Sequence, residues 1–108
     1  MEINDYQKAA LETAIYPAQH KIIYPTLGLT GEAGEVSDKV KKILRDKFGI
    51  FAPDDKKELA KELGDVFWYL ATLSYDLGFT LEEIAQMNIE KLKSRQKRDV
   101  LGGSGDNR

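Results

Sequence analysis

The chain has 108 residues, enough for one domain but small enough that oligomerisation could supply part of its burial. Its 16 basic and 18 acidic residues nearly balance, so nothing in the charge points to a nucleic-acid polymer or a membrane as partner. The chain has no cysteine and one histidine, and this composition excludes disulfides, thiolate metal sites and a histidine-rich zinc centre. Without a membrane-spanning run or a signal peptide, it is expected to be cytoplasmic.

The first part of the chain predicts one helix and a connector. Asn4 or Asp5 can cap free amides and Pro17 ends a helix, so the first helix is expected to run to about residue 15. Two prolines and two tyrosines in residues 16–27 predict a loop or a short irregular helix packed by aromatic rings. A packed connector is favoured over a binding loop.

A second helix is predicted over residues 27–46 by an apolar stripe at helical spacing: Leu29, Ala33, Val36, Val40 and Ile43. The acids Glu32 and Glu35 lie beside this stripe instead of directly opposite it. Gly31 and Gly34 lower helix propensity by roughly 1 kcal/mol each relative to alanine. We therefore expect a ligand or a neighbouring helix to approach closely at these two glycines.

A third helix is predicted over residues 55–76, after a loop at 46–55, and it repeats this arrangement. Its expected core stripe is Leu59, Leu63, Val66, Leu70 and Leu73. Glu62 and Asp65 lie beside that stripe, three residues apart, so both carboxylates share one face. The second and third helices are therefore expected to face each other.

A fourth helix is predicted to begin at residue 81, because Thr80 and Glu83 have the spacing of a capping box. Asn88, Lys91 and Arg95 follow one line along this helix. Residues 101–108 are rich in glycine and polar residues and predict a flexible tail. The expected organisation is a single helical domain over 1–100 and a glycine-rich C-terminal tail over 101–108.

Two facing pairs of acids would make a cage of four carboxylates that repels itself unless a cation is bound. Carboxylate oxygens are hard ligands that suit Mg²⁺ or Mn²⁺. The plain alternative is that these are ordinary surface acids, but two pairs beside apolar stripes on consecutive helices favour a metal site. A ferritin-like di-iron bundle is a weaker alternative because its Glu-x-x-His elements are absent. The predicted ligands are Glu32, Glu35, Glu62 and Asp65.

Basic side chains on the second and fourth helices suit a triphosphate bound beside such a metal. The candidates are Lys39, Lys42, Lys91 and Arg95, each of which alone would be an ordinary solvent-facing cation. Asn88 could contact a base or sugar edge or be a satisfied core amide. Trp68 is interpreted first as a core or interface residue and second as a residue that stacks on a base.

Three blocks resemble the MazG-type all-α nucleotide pyrophosphohydrolases: Gly28-Leu-Thr-Gly-Glu-Ala-Gly-Glu-Val36, Lys61-Glu-Leu-Gly-Asp-Val-Phe-Trp-Tyr-Leu70 and Asn88-Ile-Glu-Lys-Leu92. The resemblance covers the chain from about residue 24. The ending Gly103-Ser-Gly-Asp-Asn-Arg108 is similar to that of the short, single-domain branch found in phage and bacterial genomes. Gly31 stands where the family commonly has a further acid.

The resemblance implies an all-α, four-helix, oligomeric enzyme. It would use Mg²⁺ to cleave nucleoside or deoxynucleoside triphosphates between the α and β phosphates. It would form a homodimer or a homotetramer. It implies that Glu32, Glu35, Glu62 and Asp65 bind metal and that Asn88 and Lys91 contact nucleotide. We assign the general base to Glu35, and charge stabilisation on the departing pyrophosphate to Lys42, Lys91 and Arg95. The alternatives are a non-catalytic helical assembly module and a phosphoribosyl-ATP pyrophosphohydrolase.

Overall fold

The computed structural model describes residues 1–108, and its regular structure is entirely helical. The four α-helices are α1 (Ile3–Leu11), α2 (Ile23–Asp46), α3 (Pro53–Asp76) and α4 (Leu81–Lys97), with a 3₁₀ turn at Ala18–His20 between the first two. The long helices α2 and α3 pack against each other as a hairpin, and α1 and α4 pack on α3. The predicted all-α, four-helix fold is confirmed. None of the helices combines the length and apolar character needed to cross a bilayer.

The observed helix starts differ from the predicted ones where proline was interpreted as a breaker. Helix α2 begins at Ile23 instead of 27, and Pro25 is buried in its first turn. Proline is tolerated there because the first backbone N–H groups of a helix have no partner in the helix. For the same reason α3 begins at Pro53. Helix α1 ends at Leu11, four residues before its predicted end.

The start of α4 is as predicted. The Thr80 hydroxyl accepts the Glu83 backbone N–H at 3.1 Å, and the Glu83 carboxylate accepts the Thr80 backbone N–H at 3.1 Å. These two bonds form the capping box and satisfy two amides that would otherwise have no partner. The local sequence signal was sufficient here because both partners lie within one helical turn.

The core is small and lies where α1, α3 and α4 meet. Ala10, Ala71 and Leu81 form its buried centre. The buried Gln7 side chain joins the three helices: its amide donates to the carbonyls of Ala71 at 3.0 Å and Phe79 at 3.1 Å, and its oxygen accepts the Leu81 N–H. A fully satisfied amide of this kind fixes the orientation of α1 across the hairpin.

The predicted core stripe of α3 is wrong in part. Leu63 is 57% exposed and Leu70 is 38% exposed, whereas the buried residues of this helix are Ala71, Thr72 and Ser74. The hairpin has no second layer over this side, so the stripe lines an open groove. We call it the α3 groove; its residues are Leu63, Gly64, Val66, Phe67 and Leu70.

Candidate metal centre

Helices α2 and α3 bring three of the predicted acids together. One carboxylate oxygen each from Glu32, Glu62 and Asp65 lies within 4.8 Å of the others. Glu32 comes from α2, and the other two come from successive turns of α3, which agrees with the predicted facing of these helices. Glu32 and Glu62 are half-buried and Asp65 is exposed. We call these three residues the acidic cluster.

The acidic cluster is electrostatically unfavourable on its own. Burial raises the pKa of Glu32, and so do the charges of Asp65 and Glu62. A raised carboxyl pKa means that the surroundings disfavour the ionised form, which a divalent cation would reverse.

The donor set suits a magnesium-like ion. All three donors are hard carboxylate oxygens, the ligand type preferred by Mg²⁺ and Mn²⁺. Their 4.8 Å span slightly exceeds the about 4.2 Å between opposite oxygens around Mg²⁺. Small side-chain rotations can therefore bring the oxygens of the acidic cluster into coordinating positions, and the residues present fit such an ion.

Glu35, the fourth predicted ligand, lies at the edge of the acidic cluster. It is three residues beyond Glu32 on α2 and is exposed. Its charge contributes to the raised pKa of Glu32, so the two carboxylates are close enough to interact. Three of the four predicted acids therefore converge, and Glu35 lies beside them in a more exposed position.

An aromatic cavity adjoins the acidic cluster. This cavity of about 400 Å³ is lined by Thr13, Glu32, Asp65, Trp68 and Tyr69. The Trp68 indole N–H donates to the Thr13 hydroxyl at 2.8 Å, and the Trp68 and Tyr69 rings meet edge to face at 5.0 Å. The ring of Trp68 is therefore held in a fixed orientation next to two of the cluster acids.

The glycine that permits close packing near this cavity is Gly28. A Cβ atom there would overlap the Tyr69 ring, whereas no atom lies within 4 Å of a Cβ built at Gly31 or Gly34. No neighbouring helix of this chain therefore approaches Gly31 or Gly34 closely, and that half of the expectation is wrong; approach by a ligand stays a prediction. Gly28 lies one turn before Glu32, and Tyr69 lies one turn after Asp65, so helical spacing places each of them on the helix face that carries these acids.

Lys39 is the functional candidate whose partners sequence reasoning did not identify. Its Nζ atom lies 3.3 Å from a carboxylate oxygen of Glu62 and 3.7 Å from one of Glu58. The hydrogen bond to Glu62 raises the pKa of the Lys39 ammonium. The sequence did place Lys39 one helical turn after Glu35, on the face of α2 that carries the acids.

The other predicted substrate-binding cations have partners elsewhere in the chain. Lys42 pairs with Asp38 one turn earlier on α2, at 2.8 Å. On α4, Lys91 contacts the Asp106 carboxylate at 2.8 Å, and the buried Arg95 contacts it at 3.2 Å. Asn88 is exposed on the same helix.

The C-terminal residues make specific side-chain contacts with the backbone, which the composition of the predicted tail did not indicate. The Arg108 guanidinium donates to four backbone carbonyls, those of Val100, Leu101, Gly102 and Gly105. Gly103 and Gly105 adopt φ angles of 92° and 89°, which favour glycine and allow the chain to turn back on itself. We call residues 101–108 the C-terminal loop. Composition alone missed it because one arginine organises the backbone.

Fold and site together define a class: a helical protein whose two long helices present carboxylates suited to a divalent cation beside an aromatic cavity. The sequence profile of the MazG nucleotide pyrophosphohydrolase domain matches residues 19–100, and the chain belongs to this family. It is also similar to the Gene 37 protein of Mycobacterium phage L5, with 48% identity over 114 aligned positions that cover both chains completely. No solved structure shows significant similarity. The resemblance seen in the sequence is confirmed.

Proposed function

We propose that the protein is a Mg²⁺-dependent hydrolase that converts nucleoside or deoxynucleoside triphosphates to the monophosphate and pyrophosphate. The observation that carries this proposal is the acidic cluster, in which Glu32, Glu62 and Asp65 converge from two helices within 4.8 Å. Burial and the charges of Asp65 and Glu62 raise the pKa of Glu32, and a bound divalent cation would favour its ionised form. Membership of a nucleotide pyrophosphohydrolase family supplies the substrate class.

In this proposal Glu32, Glu62 and Asp65 hold the metal, and Glu35 joins them as a ligand or acts from the edge of the site. Mn²⁺ would also fit the oxygen donors. Bound metal would polarise the α-phosphate and lower the pKa of a water molecule. Glu35 is the acid best placed to take the proton of that water, because it interacts with Glu32 and is more exposed than Glu32 or Glu62.

The proposed reaction is an attack of water on the α-phosphorus. The water oxygen forms a bond to that phosphorus, its proton passes to Glu35, and the bond to the bridging α,β oxygen breaks. This oxygen leaves with the pyrophosphate, which carries additional negative charge. We assign Lys42, Lys91 and Arg95 to the neutralisation of that charge, which requires them to exchange their present carboxylate partners for phosphate.

Recognition of the nucleoside is assigned to Trp68 and Asn88. The indole of Trp68 borders the aromatic cavity together with Glu32 and Asp65, so a base stacked on it would place its phosphates toward the acids. Asn88 on α4 carries both a donor and an acceptor and is exposed, as contact with a base or sugar edge requires.

We further propose that the domain, residues 1–100 with the C-terminal loop, works as a homodimer or homotetramer. Only nine of 108 residues are buried, and the radius of gyration is 16.8 Å, against about 13 Å for a compact domain of this length. The α3 groove adjoins the acidic cluster on the same helix and offers an apolar surface to a second copy. Sedimentation of wild type and Leu63→Arg tests this, because Leu63 is the groove residue that is 57% exposed. The variant should form smaller species, and equal mass for both would contradict the proposal.

The experiment that tests the activity is pyrophosphate release from a panel of standard and modified nucleoside triphosphates, with Mg²⁺ and with a chelator. Wild type should cleave at least one member of the panel only when metal is present. Glu35→Gln should lose about 100-fold or more in rate, the range expected for loss of a general base. Glu90→Gln, the same change at an exposed acid of α4, is the control. Absence of cleavage, or equal rates for the two variants, would overturn the proposal.

A further inference from the structure

The Lys39 ammonium is the positive charge in direct contact with the acidic cluster. It lies 3.3 Å from Glu62, whose side chain is 17% exposed, and it bridges from there to Glu58 at 3.7 Å. Lys39 belongs to α2 and both acids belong to α3, so the ammonium joins the two helices of the hairpin. It therefore supplies part of the positive charge that three converging carboxylates require.

A divalent cation and the Lys39 ammonium would compete for the same oxygens. Glu62 cannot give its full charge to both, because a bound metal ion withdraws electron density from the carboxylate that the ammonium contacts. Once a metal neutralises the acidic cluster, the attraction between Glu62 and Lys39 weakens. The contact with Glu58, which is outside the acidic cluster, then remains to keep the ammonium nearby.

A cavity is present on the side of Lys39 to which the released ammonium could turn. It has a volume of about 220 Å³, and its lining includes Lys39, Lys42 and Lys47. Lys47 pairs with Asp55, and Lys42 pairs with Asp38. Lys39 differs from both, because its partner Glu62 is also a candidate metal ligand. Metal binding would thus make one cation available at the boundary between the acidic cluster and this cavity.

We propose that Lys39 is a built-in counter-ion: it holds Glu62 while the metal is absent, is displaced when a divalent cation binds, and then contacts a phosphate oxygen of the substrate. This inference rests on the proposed function for its substrate, a triphosphate. Lys39 positions Glu62 before binding and contacts phosphate after it. Metal and triphosphate binding are consequently coupled through one side chain, in addition to their direct attraction.

The first test is calorimetric titration of the full chain with Mn²⁺ in the absence of nucleotide. Lys39→Met should bind Mn²⁺ about two- to fivefold more tightly than wild type, since a partly exposed ion pair of ordinary strength no longer competes. Lys39→Arg keeps the charge and should resemble wild type. Lys41→Met is the matched control, because Lys41 lies two residues away and pairs with Asp38 instead. Equal or weaker Mn²⁺ binding by Lys39→Met than by Lys41→Met would overturn the counter-ion role.

The second test repeats the titration with a saturating non-hydrolysable analogue, an α,β-methylene nucleoside triphosphate. The analogue should tighten Mn²⁺ binding to wild type and to Lys41→Met more than to Lys39→Met. An equal gain in all three proteins would overturn the phosphate contact. The proposed function is tested separately by pyrophosphate release, so a protein that shows the Mn²⁺ difference but cleaves no nucleotide would refute the activity and leave the counter-ion role standing.

Discussion

The acidic cluster and the C-terminal loop are both built from charged side chains, but their charges are arranged in opposite ways. In the acidic cluster, like charges face one another, and burial together with Asp65 and Glu62 raises the pKa of Glu32. In the C-terminal loop, Lys91 and Arg95 contact Asp106 and lower its pKa. The loop therefore satisfies its own charges, whereas the acidic cluster is left to be completed by a cation.

This difference separates a structural charge network from a candidate binding site. Oppositely charged partners stabilise the fold around them, although exposed pairs contribute little individually. Carboxylates that converge without enough positive charge are unfavourable for folding, and such a cost is commonly found at functional sites. The predictions below begin with the largest expected effect, in the acidic cluster, and end with the smallest, in the C-terminal loop.

The largest effect is expected from removing one carboxylate charge from the acidic cluster. Asp65→Asn should weaken Mn²⁺ binding by about tenfold or more, because it removes a direct ligand and even outer partners of a metal contribute this much. Asp106→Asn, the same change in the C-terminal loop, should leave Mn²⁺ affinity within about twofold of wild type, as it lies outside the ligand set. Calorimetric titration measures both. Equal losses in the two variants would mean that net charge alone governs metal binding.

An effect of similar or smaller size is expected where α2 packs against α3 beside the aromatic cavity. Gly28→Ala should lower the free energy of unfolding by about 1–3 kcal/mol, because its Cβ would overlap the Tyr69 ring. Gly31→Ala, three residues later in open space, should raise it by up to about 1 kcal/mol through helix propensity. Urea denaturation gives both values. A change of the same sign in both variants would contradict the packing described for Gly28.

In the C-terminal loop, the expected change is local and of about 1 kcal/mol. Arg108→Ala removes a guanidinium that donates to four carbonyls, so the loop should open more often and the Val100 N–H, which donates to the Arg95 carbonyl, should exchange with solvent faster. Arg98→Ala removes an exposed side chain that bonds to Ser94 one turn earlier, and it serves as the control. Hydrogen exchange measures the difference. Unchanged exchange in Arg108→Ala would show that the loop is held by other contacts.

The smallest effect concerns the pH dependence of the same loop. Lys91 lowers the pKa of Asp106 below its ordinary 3.8, and Arg95 adds to this. A carboxyl whose pKa is depressed in the folded state contributes stability above its unfolded pKa and loses it as pH falls through the folded pKa. The small contribution of this pairing to stability should therefore be present at pH 4 and be lost as the pH falls further. Carbon-13 titration of the Asp106 carboxyl by NMR should give a midpoint below 3.8, and a midpoint at or above 3.8 would contradict the pairing.

The sequence was informative wherever the partners lie close together along the chain. The capping box of Thr80 and Glu83 lies within one turn, and the pairing of Glu62 with Asp65 follows from helical spacing alone. The facing of α2 and α3 followed from two matching stripes. Glu35 was grouped with the other acids for the same reason, although spacing does not show that it lies outside the closest group.

What the sequence did not predict depends on contacts between distant residues. The bridge from Lys39 to Glu62 crosses two helices, and the order of the C-terminal loop depends on where the Arg108 side chain points. The exposed side of α3 was misassigned for a different reason. An apolar stripe predicts that another surface packs on it, but Leu63 and Leu70 are exposed and no part of their own chain buries them.

The most direct measurement of the central claim is an anomalous diffraction map from crystals of the protein grown with Mn²⁺. We expect a manganese peak at coordinating distance, about 2.2 Å, from carboxylate oxygens of Glu32, Glu62 and Asp65. The Lys39 ammonium should then lie farther from Glu62 than its present 3.3 Å. A manganese peak bound elsewhere, or no peak near these three carboxylates, would contradict the assignment of the acidic cluster as the metal centre.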